Sequence, residues 1–191
     1  MNESNTPQLC DGENGNNICI ECGLCCDGSM FMHVKIDKSD DPTLLKQLGV
    51  ESVEVRDKPF FLQPCIWQEG KLCRLYNDKR RFKVCKAFKC RLLRQYLSGE
   101  ISYPSALAVI REILIRRQSV KAFSEILYPD DNKREPSIFS FIRELNLSGK
   151  MKDPAFRRIY SKQILDCFIF RELLNRSFYK KNGKTPELDE K

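Results

Sequence analysis

The stretch Cys19-Ile20-Glu21-Cys22-Gly23-Leu24-Cys25-Cys26 sets two overlapping C-x2-C pairs back to back. That spacing lets a tight turn carry two sulfurs to one ion or one cluster corner while backbone amides curl around them. Gly23 directly follows the second cysteine, where such a turn needs a residue tolerant of positive φ. Leu24 then closes the site against water. Downstream come Cys65, Cys73, Cys85 and Cys90, so eight thiols fall in the 72 residues from Cys19 to Cys90, and the other 119 residues hold only Cys10 and Cys167. All eight are candidate metal ligands, enough for two tetrahedral sites or for one cluster with extras.

The pattern resembles the YkgJ-type cysteine cluster proteins, a zinc- or iron-chelating family with a C-x2-C-x2-C-C signature. The resemblance runs from Cys19 to Cys90. It takes in the C-x2-C-G-x-C-C opening, the strand and Asp37 that follow, and the C-x7-C step from Cys65 to Cys73 before Leu75-Tyr76. Where the family usually shows Arg-Pro-x-x-Cys-Arg-x-Phe, this chain reads Arg81-Phe82-Lys83-Val84-Cys85-Lys86-Ala87-Phe88. Phe82 stands for the proline and Lys86 for the second arginine. The resemblance implies metal or iron–sulfur binding, and the residues after 91 lie outside it. A related cysteine arrangement occurs in flagellin lysine methylases, which makes a protein-modifying enzyme a conceivable relative. No glycine-rich nucleotide loop follows a strand here to support one.

Working outward, 191 residues with 41% hydrophobic and 31% charged composition suit a globular protein and exclude collagen, coiled coil and wholesale disorder. A chain of this size buries a core without disulfide help. The first residues carry neither a basic n-region nor an apolar h-region, and no apolar run approaches the roughly 20 residues a membrane span requires. The expectation is a cytoplasmic protein with no membrane partner. In a reducing compartment, a dense cysteine cluster points to a metal site or redox centre.

The fold expected is a small α+β protein, with a cysteine-rich half of short strands and turns followed by a helical half. Residues 1–17 and 182–191 read as polar tails, 18–98 as the metal-binding domain and 99–181 as a helical region packed on it. Alternation predicts a strand over Ser29–Ile36 with Met30, Met32, Val34 and Ile36 on one face, and a second over Ser52–Val55. A short helix over Pro42–Leu48 starts at Asp41 and stops at Gly49. Cys65 and Cys73 flank the turn Gln68-Glu69-Gly70-Lys71 as in a hairpin. Helical periodicity begins with Leu92, Leu93 and Tyr96 and stops at Ser98-Gly99. A long helix opens at Pro104 and ends at Tyr128-Pro129, a shorter one spans Ile138–Leu147, and a final one runs unbroken from Pro154 past Phe178. Cys167 falls on that last helix's apolar stripe and reads as a core thiol, while Cys10 lies in the first tail.

Zinc and iron, including a [4Fe-4S] cluster, fit the spacing equally well. Two zinc ions on eight thiolates would bring the formal net charge from +7 to +3. Lys79, Arg80, Arg81, Lys83, Lys86, Lys89, Arg91 and Arg94 surround Cys85 and Cys90. They read first as compensation for thiolate charge and second as a nucleic-acid patch without a known reader motif. His33, the only histidine, reads as structural because thiols already suffice for a site. The adjacent Cys25 and Cys26 cannot easily reach one ion, so Cys25 is expected with Cys19 and Cys22, and Cys26 with downstream thiols. Three functions follow from this reading. The first is a metal-binding protein acting as chelator, carrier or cofactor holder, with its helical half free for a protein partner. The others are an iron–sulfur redox or protein-modifying enzyme and a structural-zinc adaptor.

Overall fold

The computed structural model describes residues 18–40, 42–47, 49–50, 52–55, 57–129 and 137–179. Both expected tails, Cys10 and the helix start at Asp41 lie outside the described residues. The fold is α+β, with its strands in the N-terminal half and mainly helices in the C-terminal half.

Helix α1 (Ile18–Cys22) carries the first C-x2-C pair on a single turn. It ends where Gly23 takes φ +68° and donates its N–H back to Cys19 O at 3.1 Å. The expected strand over Ser29–Ile36 shrinks to β1 (His33–Lys35). Met30 leaves the alternating face because it is drawn, with no exposed surface, into the helical core, where Tyr179 Oη donates to its carbonyl at 2.7 Å. After α2 (Pro42–Gln47), strands β2 (Ser52–Val55) and β3 (Lys58–Leu62) complete an antiparallel sheet in the order β1-β3-β2. Val34 pairs with Phe61 and Val53 with Phe60. On one face Phe61 stacks on Phe82, centroids 4.6 Å apart, and closes a small cluster with Ile36 and Leu45.

The hairpin forms where expected, as β4 (Gln68–Glu69) and β5 (Leu72–Cys73) around Gly70 at φ +59°. Two short helices follow, α3 (Lys83–Ala87) and α4 (Arg91–Leu97). Helix α5 (Tyr103–Leu127) is the spine of the second half, capped by Ser102 with Pro104 in its first turn. It packs chiefly against α8 (Ser161–Ser177) and also touches α1, α4 and α6 (Ile138–Leu147). Ile110, Ile113, Val120 and Phe123 of α5 are buried, with Phe141 of α6 and Phe170 of α8 among the largest fully buried side chains.

The last helix is not continuous. A 3₁₀ turn (Lys150–Lys152) and α7 (Pro154–Ile159) precede α8, and the break falls at Tyr160, with φ −108° and ψ 24°. There the Tyr160 ring turns inward to lie 5.3 Å from Phe123 and 4.9 Å from Phe156, so tertiary packing overrides the helical period. Leu24, Ile18 and Met30 from the cysteine-rich half belong to the same core as the long helices.

Candidate metal centre

The two adjacent cysteines part company. Cys26 turns to Cys73, its thiol donating to that sulfur, while its carbonyl accepts the Cys65 N–H at 2.7 Å. Cys65 lies beside Cys26, and both Cys65 and Cys73 lie beside Cys85. Cys25 turns the other way, into the field of Cys22, Cys90 and Cys19. By their electrostatic neighbours the eight thiols sort into two sets of four, Cys19, Cys22, Cys25 and Cys90, and Cys26, Cys65, Cys73 and Cys85, which adjoin where Cys25 acts on Cys26.

Local structure explains the sorting. Helix α1 puts Cys19 and Cys22 three residues apart on one face. The turn after Gly23, with the Cys26 N–H on Gly23 O at 2.9 Å, delivers Cys25 to that face and Cys26 to the opposite side. Cys90 arrives by capping α4, its sulfur accepting the Leu93 N–H at 3.4 Å. Backbone amides reach other sulfurs too, from Leu24 to Cys22 and from Leu75 to Cys73. Such N–H groups favour thiolate over thiol. Gln68 Nε2 donates to Gly23 O at 3.3 Å and ties the hairpin to the first turn.

Electrostatically the gathered thiols resist ionising on their own. Burial pushes Cys22 and Cys25 well above the usual thiol range, and neighbouring sulfurs and the Asp27 carboxylate add to it. Burial and Cys65 push Cys85 up to about 12 against the pull of Arg81, and burial raises Cys90. Cys73 alone moves down, because Cys26 donates to it and the Leu75 amide and Arg81 help. Cys22, Cys25, Cys85 and Cys90 become thiolates near neutral pH only when a cation joins them, which is what a metal supplies. Among the described residues, no three His, Cys, Asp or Glu side chains are drawn close enough to enclose a single ion as they stand. The donor set is nevertheless all thiol and suits zinc, mononuclear iron or an iron–sulfur cluster.

A cavity of about 1310 Å³ borders both groups and extends along the sheet face that carries Val53, Val55 and Phe60. His33 lines it, edge-on to the Phe60 ring at 4.6 Å, with its imidazole held down by burial. Cys167 sits apart in the helical core, where burial pushes its thiol up to about 12. The basic run is largely engaged within the chain. Arg80 pairs with Asp78, Lys83 with Asp37, and Lys86, Arg91 and Arg94 donate to the carbonyls of Lys79, Arg176 and Lys89. Two residues that spacing did not single out stand beside the groups, Trp67 in the cavity wall by the second and Asp27, which pairs with Arg117 at 2.5 Å, close to Cys25 in the first. No described helix is long and apolar enough to cross a membrane. No family model, curated protein or solved structure matches the chain.

Proposed function

We propose that this chain is a cytoplasmic metal-binding protein that holds zinc or iron in two four-thiolate centres, the first on Cys19, Cys22, Cys25 and Cys90 and the second on Cys26, Cys65, Cys73 and Cys85. The observation that carries the reading is the sorting of eight thiols into two sets of four. A metal-free role has no use for Cys22, Cys25, Cys85 and Cys90 gathered where burial holds their thiols protonated. Amides aimed at Cys22, Cys73 and Cys90 support it, being the arrangement that orients and stabilises bound thiolates.

The cavity beside the centres supports a second reading, an enzyme in which a metal centre meets a small molecule. The test of both begins with anaerobic purification followed by metal and acid-labile sulfide analysis. Stoichiometric zinc or iron is expected, with sulfide deciding between single ions and clusters. Folded, metal-free protein with every cysteine titratable would overturn the proposal.

A further inference from the structure

The two thiol groups stand in unlike surroundings. Beside the first lies the buried carboxylate of Asp27, already paired with Arg117. Beside the second lies the guanidinium of Arg81, fixed by donation from Nη1 to Tyr76 O at 3.3 Å and from Nη2 to Cys85 O at 2.8 Å. Its charge acts on both Cys73 and Cys85, and it stacks 4.2 Å over the Tyr76 ring. No described carboxylate pairs with it. The Nε–H of Arg81 is buried without an acceptor among the described residues, and so is the indole Nε1–H of Trp67. Trp67 sits inside the hairpin between Cys65 and Cys73, held there by the Arg74 N–H on its carbonyl at 2.8 Å. Both side chains line the cavity that the second thiol group borders.

Two buried donors without acceptors are costly unless an acceptor arrives with the functional state. A thiol is a weak acceptor, whereas a metal-bound thiolate is a charged one, and four of them on a divalent ion leave the centre at −2. Building on the metal-binding reading above, we infer that Arg81 and Trp67 are positioning residues of the second centre. Their Nε–H and Nε1–H groups donate to its metal-bound thiolates, which makes the two centres unequal in reactivity. Donation and positive charge draw electron density from the second centre's sulfurs and blunt them as nucleophiles. The first centre has backbone amides on Cys22 and Cys90 and the Arg94 charge near Cys90, but the Asp27 carboxylate beside it opposes them.

The test uses the intact chain purified anaerobically and analysed for metal. Each cysteine's alkylation by iodoacetamide is then followed by peptide mass spectrometry from about pH 6 to 9. Trp67→Phe keeps the ring and removes only the N–H, and Arg81→Gln removes the charge. Both are expected to keep metal content and circular dichroism while alkylation of Cys73 and Cys85 accelerates roughly fivefold to tenfold and Cys22 and Cys90 stay within about twofold of wild type. Arg81→Lys, which restores charge without the fork, should fall between. If Arg81→Gln sheds its metal, Trp67→Phe decides alone. Metal-loaded Trp67→Phe with unchanged rates at the second group, or with equal acceleration at both groups, overturns the inference and leaves the metal-binding reading standing. A wild-type chain without metal overturns both.

Discussion

At the scale of single residues, the sorting of sulfurs makes a quantitative expectation. On the proposed two-centre reading, Cys22→Ser removes one ligand of the first group and Cys73→Ser one of the second, so each variant should lose about half the bound metal while Cys167→Ser loses none. Elemental analysis per chain measures it, and equal loss of all metal from either ligand variant would mean one shared site. Cys167 offers a separate check on burial, since its thiol stands near 12 in the folded protein against 9.0 as a free side chain. A raised folded value stabilises the fold fully below pH 9 and loses that contribution as pH climbs toward 12. The melting-temperature advantage of wild type over Cys167→Ala should therefore shrink across that alkaline window, and an advantage independent of pH there would contradict the burial argument. The divergence of Cys25 from Cys26 was legible in sequence, because adjacent side chains rarely converge on one ion. The allegiance of Cys90 was not. It lies five residues after Cys85 yet joins the other group, because α3 and the turn after Phe88 carry the chain away before α4 begins.

At the scale of elements, the first cysteine turn is locked to the helical half through Gly28. Its φ is +78°, its carbonyl accepts the Phe139 N–H at 3.0 Å, and a Cβ there would stand 2.5 Å from Ser137 Cβ at the start of α6. Gly28→Ala should therefore cost more than the roughly 1–2 kcal/mol of left-handed backbone strain. Gly49 also has positive φ, +67°, but no described residue lies within 4 Å of its Cβ position, so Gly49→Ala should cost the strain alone. Chemical denaturation of both variants isolates the contact, and equal losses would show that α6 yields to the added methyl. Breakers made most helices legible, as at Pro104, Pro154 and Ser98-Gly99, while the side-chain caps that start α5, α6 and α7, at Ser102, Ser137 and Asp153, emerge only in the structure. Strand β3 escaped notice because Pro59-Phe60-Phe61-Leu62 does not alternate: as the central strand it faces the small core with Phe61 and the cavity with Phe60. Helices α1 and α3 are too short to show a period, and the bend at Tyr160 depends on Phe123, which sequence places far away.

For the whole molecule, the two thiol groups fall on two hydrophobic clusters of very different size. Cys22, Cys25 and Cys90 pack against the large core built on α5, α6 and α8, whereas Cys65 and Cys85 pack against a cluster whose buried members among the described residues are Ile36, Leu45, Phe61 and Phe82. Fully burying one such side chain stabilises by about 1.5–3 kcal/mol, and four of them barely offset the backbone entropy of ordering a few residues. If the proposed second centre holds metal, the sheet and hairpin half should depend on it for folding free energy in a way the helical half does not. Removing metal with a strong chelator under reducing conditions should leave amide protection in α5, α6 and α8 and abolish it from residue 58 to residue 90. Hydrogen exchange read by mass spectrometry distinguishes this from its alternatives. Uniform loss of protection would mean that the two halves fold as one unit through Gly28 and Gln68. Undiminished protection of the sheet would mean that Phe61, Phe82 and their neighbours suffice without metal.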